Sequence, residues 1–259
     1  MTDATRITTE KRGALLLIGL NRAAKRNAFD LEMLEQFAGA FEQLERDADV
    51  RCGVIFAHGD HFTGGLDLAN VAPAMADGRL GLGGAGIDPW GVHGKMRTKP
   101  TVLAVHGLCL TLGIEMCLAQ DVTVAADNAR FAQIEIKRGI FPFGGATYRL
   151  VQTAGWGNAM RWLLTGDEFS AAEAHRIGLV QEVVPLGQHV ERAIAIAETI
   201  AKQAPLGVAA TLASARKAQY EEAAARALLP ELQRLMKSDD AREGMMSFLE
   251  RRPAQFTGK

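Results

Sequence analysis

Along this chain, short apolar runs alternate with stretches in which apolar residues recur every three or four positions. Residues 14–20 follow a Lys-Arg-Gly turn and read as a buried strand. Asp30 then stands as an N-cap. Leu31, Leu34, Phe37, Phe41 and Leu44 after it place one apolar face on a helix. Residues 52–57 and 101–106 read as further strands, 114–118 as the start of a buried helix, and 122–126 as a strand again. This alternation predicts α/β architecture. Residues 70–99 break it. They are rich in glycine, carry Pro73, Pro89 and Trp90, and lack sustained periodicity, so they read as a loop with short helices, exposed or lining a site.

The last third changes character. Ser170 and Glu173 form a capping-box pattern, and Gly178 can end that short helix. Residues 180–184 read as a short strand. Residues 189–203 are helical and stop before Pro205. Two further helical segments follow, the last opening at Asp240 with Glu243 three residues on. The expectation is an α/β core over residues 1–185 and a helical C-terminal region over residues 186–259.

Composition narrows the function classes. The 259 residues are 48% hydrophobic and 23% charged, ordinary for a globular chain with a sizeable core. A formal net charge of −1 leaves no nucleic-acid footprint, so an anionic ligand must meet a local basic patch. Three scattered cysteines, Cys52, Cys109 and Cys117, fit a reducing compartment. The polar first twelve residues do not read as a signal peptide, and residues 14–20 fall far short of the ~20 a membrane span needs. A cytoplasmic protein with no membrane or nucleic-acid partner is expected.

Two motifs are discarded. Gly81, Gly83 and Gly86 satisfy G-x-G-x-x-G, but a polar segment precedes them and Asp88-Pro89 follows, where a dinucleotide site needs a strand and a helix. His58 and His61 lack the surroundings of a metal site and read as turn residues.

Three segments carry candidate chemistry. In Phe62-Thr63-Gly64-Gly65-Leu66-Asp67-Leu68, paired glycines after a strand let backbone N–H groups point at a ligand, though a tight turn would use them as well. In the segment from His106 to Met116, a strand feeds a loop and then an apolar helix whose first N–H groups lack partners. Glu115 sits in its first turn among apolar neighbours, where burying an ionised carboxylate is costly unless it is paired. Either catalysis or satisfaction of helix N–H groups would explain it. Third, Glu135 lies between Ile134 and Ile136, before a structured Gly-Pro-Gly-Gly run over residues 139–145. A surface salt bridge is the plain alternative there.

Together, in order and spacing, these segments resemble the crotonase (enoyl-CoA hydratase/isomerase) superfamily. Leu20-Asn21-Arg22-Ala23-Ala24-Lys25-Arg26-Asn27-Ala28 is similar to its N-terminal signature. Leu164-Thr165-Gly166, Ser170-Ala171-Ala172-Glu173-Ala174 and Gly178-Leu179-Val180 are similar to its mid-chain signature. Arg242-Glu243-Gly244-Met245, Phe248 and Arg251-Arg252 are similar to its C-terminus.

The resemblance implies a ββα spiral core with a helical C-terminal trimerisation region, assembled as a homotrimer or a dimer of trimers. It implies an acyl-CoA thioester substrate whose carbonyl sits between the backbone N–H groups of Leu66 and Leu112, stabilising an enolate. Glu115 and Glu135 would flank one water, so hydration of a trans-2-enoyl-CoA is the leading reaction. Isomerisation, thioester hydrolysis or decarboxylation is the alternative, and a silent acyl-CoA-binding paralogue belongs to a different class. Lys25, Arg26, Ala28, Gly64, Gly65, Asp67, Leu68, Gly113 and Arg251 are the implied coenzyme A contacts. Trp90, Phe141 and Phe143 are the implied acyl pocket. No metal or redox cofactor is implied, since coenzyme A belongs to the substrate. Thr111 and Leu112 replace the usual glycines, restricting the second loop, and Leu66 replaces a smaller residue.

Overall fold

The computed structural model describes residues 5–76, 86–92, 94–217 and 237–259. A six-stranded sheet organises them: β1 (Ile7–Arg12), β2 (Leu15–Leu20), β3 (Cys52–Ala57), β4 (Thr101–Val105), β6 (Val122–Ala126) and β9 (Glu182–Val184), in that spatial order. Within this sheet only the β1–β2 pair is antiparallel. A smaller sheet joins β5 (Leu108–Leu110), β7 (Arg130–Ala132) and β8 (Phe169–Ser170).

The central strands β2, β3, β4 and β6 are mostly apolar because both sheet faces are covered there. Side-chain alternation sends Leu16, Ile18, Leu20, Ile55, Leu103 and Val105 to one face. There they pack with Met33, Phe37, Phe41 and Leu44 of α1 (Leu31–Arg46) and with Ile114 and Met116 of α3 (Leu112–Ala119). Leu15, Leu17, Val54, Val102, Ala104 and Val124 go to the other face, beneath Ala193, Ile194 and Ala197 of α7 (His189–Ala201). The expected division at 185/186 thus falls between β9 and a helix that completes the core of the main sheet.

Asp30 caps α1 as expected, its Oδ1 accepting from Met33 N–H at 2.9 Å. Several details differ from expectation. Strand β1 lies in the polar N-terminus. It is an edge strand, so Thr9 to Arg12 are exposed, and charge there discourages edge-to-edge pairing. Helix α2 (Leu68–Ala76) occupies the start of the expected 70–99 loop, while Gly81 and Gly83 lie outside the described residues. Ser170 Oγ accepts from Glu173 N–H at 3.3 Å, yet the Glu173 carboxylate turns to Arg176 at 2.6 Å, so only half the capping box forms. The last helix, α9, spans Asp239–Glu250, and the Asp240 carboxylate accepts from Thr257 and Gly258 N–H at 2.6 and 2.9 Å. Between them stand α4 (Ala146–Ala154), α5 (Trp156–Thr165), α6 (Ala171–Arg176) and α8 (Pro205–Ala215), the last opening on Pro205, whose missing N–H costs nothing at a helix start. No helix among the described residues is long and apolar enough to cross a membrane.

Candidate active site

Two loops, each following a strand, are tied into one unit. Thr63 N–H donates to Leu108 C=O at 2.9 Å, and Leu110 N–H donates to Thr63 C=O at 3.0 Å. In the first loop, Phe29 N–H donates to Gly65 C=O and Asp67 N–H to Phe29 C=O, both at 2.8 Å. That short parallel bridge uses the backbone groups on either side of Leu66. The Leu66 N–H itself has no acceptor among the described residues. Gly65 has φ +96°, and a Cβ there would collide with Thr111 Oγ1, so glycine is required for both conformation and space.

In the second loop, Thr111 N–H donates to Ala132 C=O at 3.0 Å. Thr111 C=O accepts from Ile114 and Glu115 N–H at 2.9 and 3.2 Å. The Leu112 N–H, at the start of α3, has no acceptor among the described residues. Thr111 adopts φ 49°, ψ −110°. A β-branched residue resists this region, so the backbone reaches there what glycine would reach without strain, at a cost of about 1–3 kcal/mol. The restriction expected at Thr111 therefore appears as stored strain beside a ligand-facing N–H. Gly113 works by absence: its Cβ would lie 2.7 Å from Thr63 Cγ2 and 2.9 Å from Cys109 Sγ, where α3 meets the first loop.

Leu66 and Leu112 line a cavity of about 370 Å³, and so do both glutamates. Glu115 Oε1 accepts from Gly144 N–H at 2.7 Å and Ala146 N–H at 3.3 Å. It thus satisfies helix N–H groups, those opening α4, and meets the positive end of that helix. Glu135 lies on a 3-10 turn, Ile134–Arg138, which follows β7. The salt-bridge alternative fails for it: its side chain is buried and Oε2 has no hydrogen-bond partner among the described residues. Burial pushes its pKa up to about 7; its own backbone N–H opposes this, and the nearby Glu115 charge adds to it.

Of the expected coenzyme A contacts, Lys25, Ala28, Gly64, Asp67 and Leu68 line the cavity. Asp67 is held there by Arg22, at 2.8 Å. Arg26, Gly65, Gly113 and Arg251 do not line it. Gly65 and Gly113 shape the loops from behind, and Arg26 contributes its carbonyl, accepting from Gly64 N–H at 2.8 Å. Of the expected acyl pocket only Phe143 lines the cavity. Phe141 is 63% exposed, whereas Pro142 is buried and Phe143 half-buried. Trp90 is fully buried against Phe29 and Phe37, and its indole N–H finds the Leu112 carbonyl at 3.3 Å.

Ile134, Ile140, Thr111 and Arg138 also line the cavity without having been singled out as ligand contacts. For Arg138 a signal was present: it stands three residues after Glu135, the interval at which side chains eclipse on a 3-10 turn.

Comparison with known proteins agrees with this arrangement. Residues 10–259 match the family model described as enoyl-CoA hydratase/isomerase. The enoyl-CoA hydratase EchA19 of Mycobacterium tuberculosis is 35% identical, over 96% of each chain. The 1,2-epoxyphenylacetyl-CoA isomerase of Escherichia coli is 32% identical, over 95% of each. The crystal structure of a probable enoyl-CoA hydratase/isomerase from Mycobacterium abscessus is 54% identical and superposes with a TM-score of 0.94, over 98% of this chain and 99% of that one. The mainly parallel sheet, the paired N–H loops and matches over nearly the full length lead to one conclusion: the chain belongs to the enoyl-CoA hydratase/isomerase family of the crotonase superfamily, which acts on acyl-CoA thioesters.

Proposed function

We propose that this chain is an enoyl-CoA hydratase, adding water across the double bond of a trans-2-enoyl-CoA. The observation that carries this reading is the pairing of two unlike carboxyl groups in one cavity: Glu115, held by two backbone N–H groups, and Glu135, buried and titrating at about 7. Two acids set apart by their surroundings suit a base and an acid. Glu115 takes a proton from water as the oxygen bonds to the β-carbon, and protonated Glu135 delivers a proton to the α-carbon. In between, the thioester oxygen carries enolate charge and accepts from Leu66 and Leu112 N–H. Each such donor is worth about 3–4 kcal/mol. Lys25 at the cavity wall meets the coenzyme A phosphates.

The C-terminal region over residues 186–259 is assigned to trimer contacts. An apolar groove between α7 and α8, lined by Ile200, Val208 and Leu212, supports that assignment. Isomerisation of an acyl-CoA, a double-bond shift among its forms, is the second reading; the 32% identity to a 1,2-epoxyphenylacetyl-CoA isomerase supports isomerase chemistry in general.

The test follows the conjugated enoyl-thioester absorbance on adding purified protein to trans-2-enoyl-CoAs of several chain lengths. Loss of absorbance with a 3-hydroxyacyl-CoA product supports the hydratase. Glu115→Gln and Glu135→Gln should each lower kcat by about 10²–10⁴-fold. Acyl-CoA binding with no hydration at any length would overturn this reading. Migration of the double bond would then favour isomerisation, and inert binding a silent paralogue.

A further inference from the structure

Arg138 is the cation of the cavity wall that this mechanism leaves without work. Its 3-10 turn directs it to the same side as Glu135, three residues earlier. Three cations near it in the chain are answered. Lys137 pairs with Asp167 at 3.8 Å, Arg161 with Asp167 at 2.8 Å, and Arg149 donates to the Trp90 and Gly91 carbonyls at 2.7 and 3.2 Å. Arg138 has no hydrogen-bond or ion-pair partner among the described residues, and it is exposed at the cavity wall. Glu135 does not take it: Glu135 Oε2 has no hydrogen-bond partner among the described residues.

The groups that line the cavity with Arg138 say what it would meet. The thioester oxygen lies between the N–H groups of Leu66 and Leu112, and the reacting carbons lie at the glutamates. Lys25, Ala28 and Leu68 belong to the loops around the first donor, joined by the Gly64–Arg26 hydrogen bond. Ile140, Phe143 and Arg138 cluster around Glu135 in the chain. With coenzyme A leaving past Lys25, the acyl tail runs toward Ile140 and Phe143, which suit methylenes, and toward a guanidinium, which suits a carboxylate.

Resting on the hydratase reading of this site, we infer that the acyl group carries a carboxylate beyond its double bond and that Arg138 receives it. The substrate class is then the mono-CoA thioester of an unsaturated dicarboxylic acid.

The test compares trans-2-enoyl-CoAs of six, eight and ten carbons ending in methyl or in carboxylate, at matched length. The expected result is a kcat/KM about tenfold or more higher for the carboxylate-ended member at one of these lengths, expressed mainly in KM. Arg138→Leu abolishes that ratio and Arg138→Lys keeps part of it. Dissociation constants of the saturated pairs, adipyl-CoA against hexanoyl-CoA and suberyl-CoA against octanoyl-CoA, read the same preference without turnover. If nothing is hydrated but the carboxylate-ended ligands bind tighter and Arg138→Leu removes the difference, the hydratase reading fails and this inference stands. Hydration with no preference in kcat/KM or binding overturns the inference alone. An equal loss on Arg138→Leu for both ligands of a pair and for free coenzyme A also overturns it, placing Arg138 on the coenzyme.

Discussion

The indole N–H of Trp90 donates to the carbonyl of Leu112 at 3.3 Å, tying a fully buried side chain to the residue whose own N–H opens α3 at the cavity wall. Trp90 is itself fixed by its backbone. Its N–H donates to Asp88 Oδ1 at 2.8 Å, and its carbonyl accepts from Arg149 at 2.7 Å. The 86–92 segment thereby holds the second N–H loop from behind. Trp90→Phe keeps a ring against Phe29 and Phe37 and removes only the donor and some volume. We expect about 1–2 kcal/mol lower stability in denaturant unfolding. We also expect kcat to fall about three- to tenfold with little change in KM, since a loosened donor weakens the transition state more than the bound substrate.

Glu135 makes stability depend on pH in a direction opposite to that of a salt-bridged acid. Its pKa is about 7 in the folded protein against an ordinary 4.5, so between these values the folded state holds a proton that the unfolded state has lost. Its contribution is fully present below pH 4.5 and is lost as pH rises through about 7. Glu135→Gln mimics the protonated form and cannot ionise. Chemical denaturation at pH 5 and pH 8 should show the variant gaining roughly 1–3 kcal/mol on wild type between the two. In wild type, kcat should decline above about pH 7 as the acid form disappears. A flat difference across that range would contradict the assignment.

Gly144 holds Glu115 with its N–H, and a Cβ there would collide with Glu115 Oε2 and lie 2.8 Å from its Cδ. Gly144→Ala should therefore displace the carboxylate and lower kcat about 10- to 100-fold, because small misplacements of a reacting group are costly. Gly157 in α5 supplies the contrast: a Cβ there meets nothing within 4 Å. Gly157→Ala should raise stability by about 0.5–1 kcal/mol in the same unfolding assay and leave kcat alone.

What could be read from the chain alone was what contiguous residues encode. The strands at 52–57 and 122–126 were legible because a strand buried on both faces must be an unbroken apolar run, and Asp30 because a cap acts on an N–H three residues away. Glu115, Glu135 and the two loops were legible through order and spacing. Edge strand β1 was not, since its exposed charges hide a pairing with β2 that only the backbone records. Strands β5, β7 and β8, two or three residues each, exist through partners distant in sequence.

Within the site the same boundary holds. The sequence by itself determined the family and the α/β architecture, and it singled out the two glutamates that line one cavity. Only the tertiary structure decided that Glu115 caps a different helix, that burial lifts Glu135 to about 7, and that Trp90 braces a loop where an acyl-pocket wall was expected. It also decided that Arg138 reaches the cavity without a partner among the described residues. Motif spacing is a property of neighbours along the chain, whereas burial, desolvation and the pairing of charges depend on which distant segments are brought together.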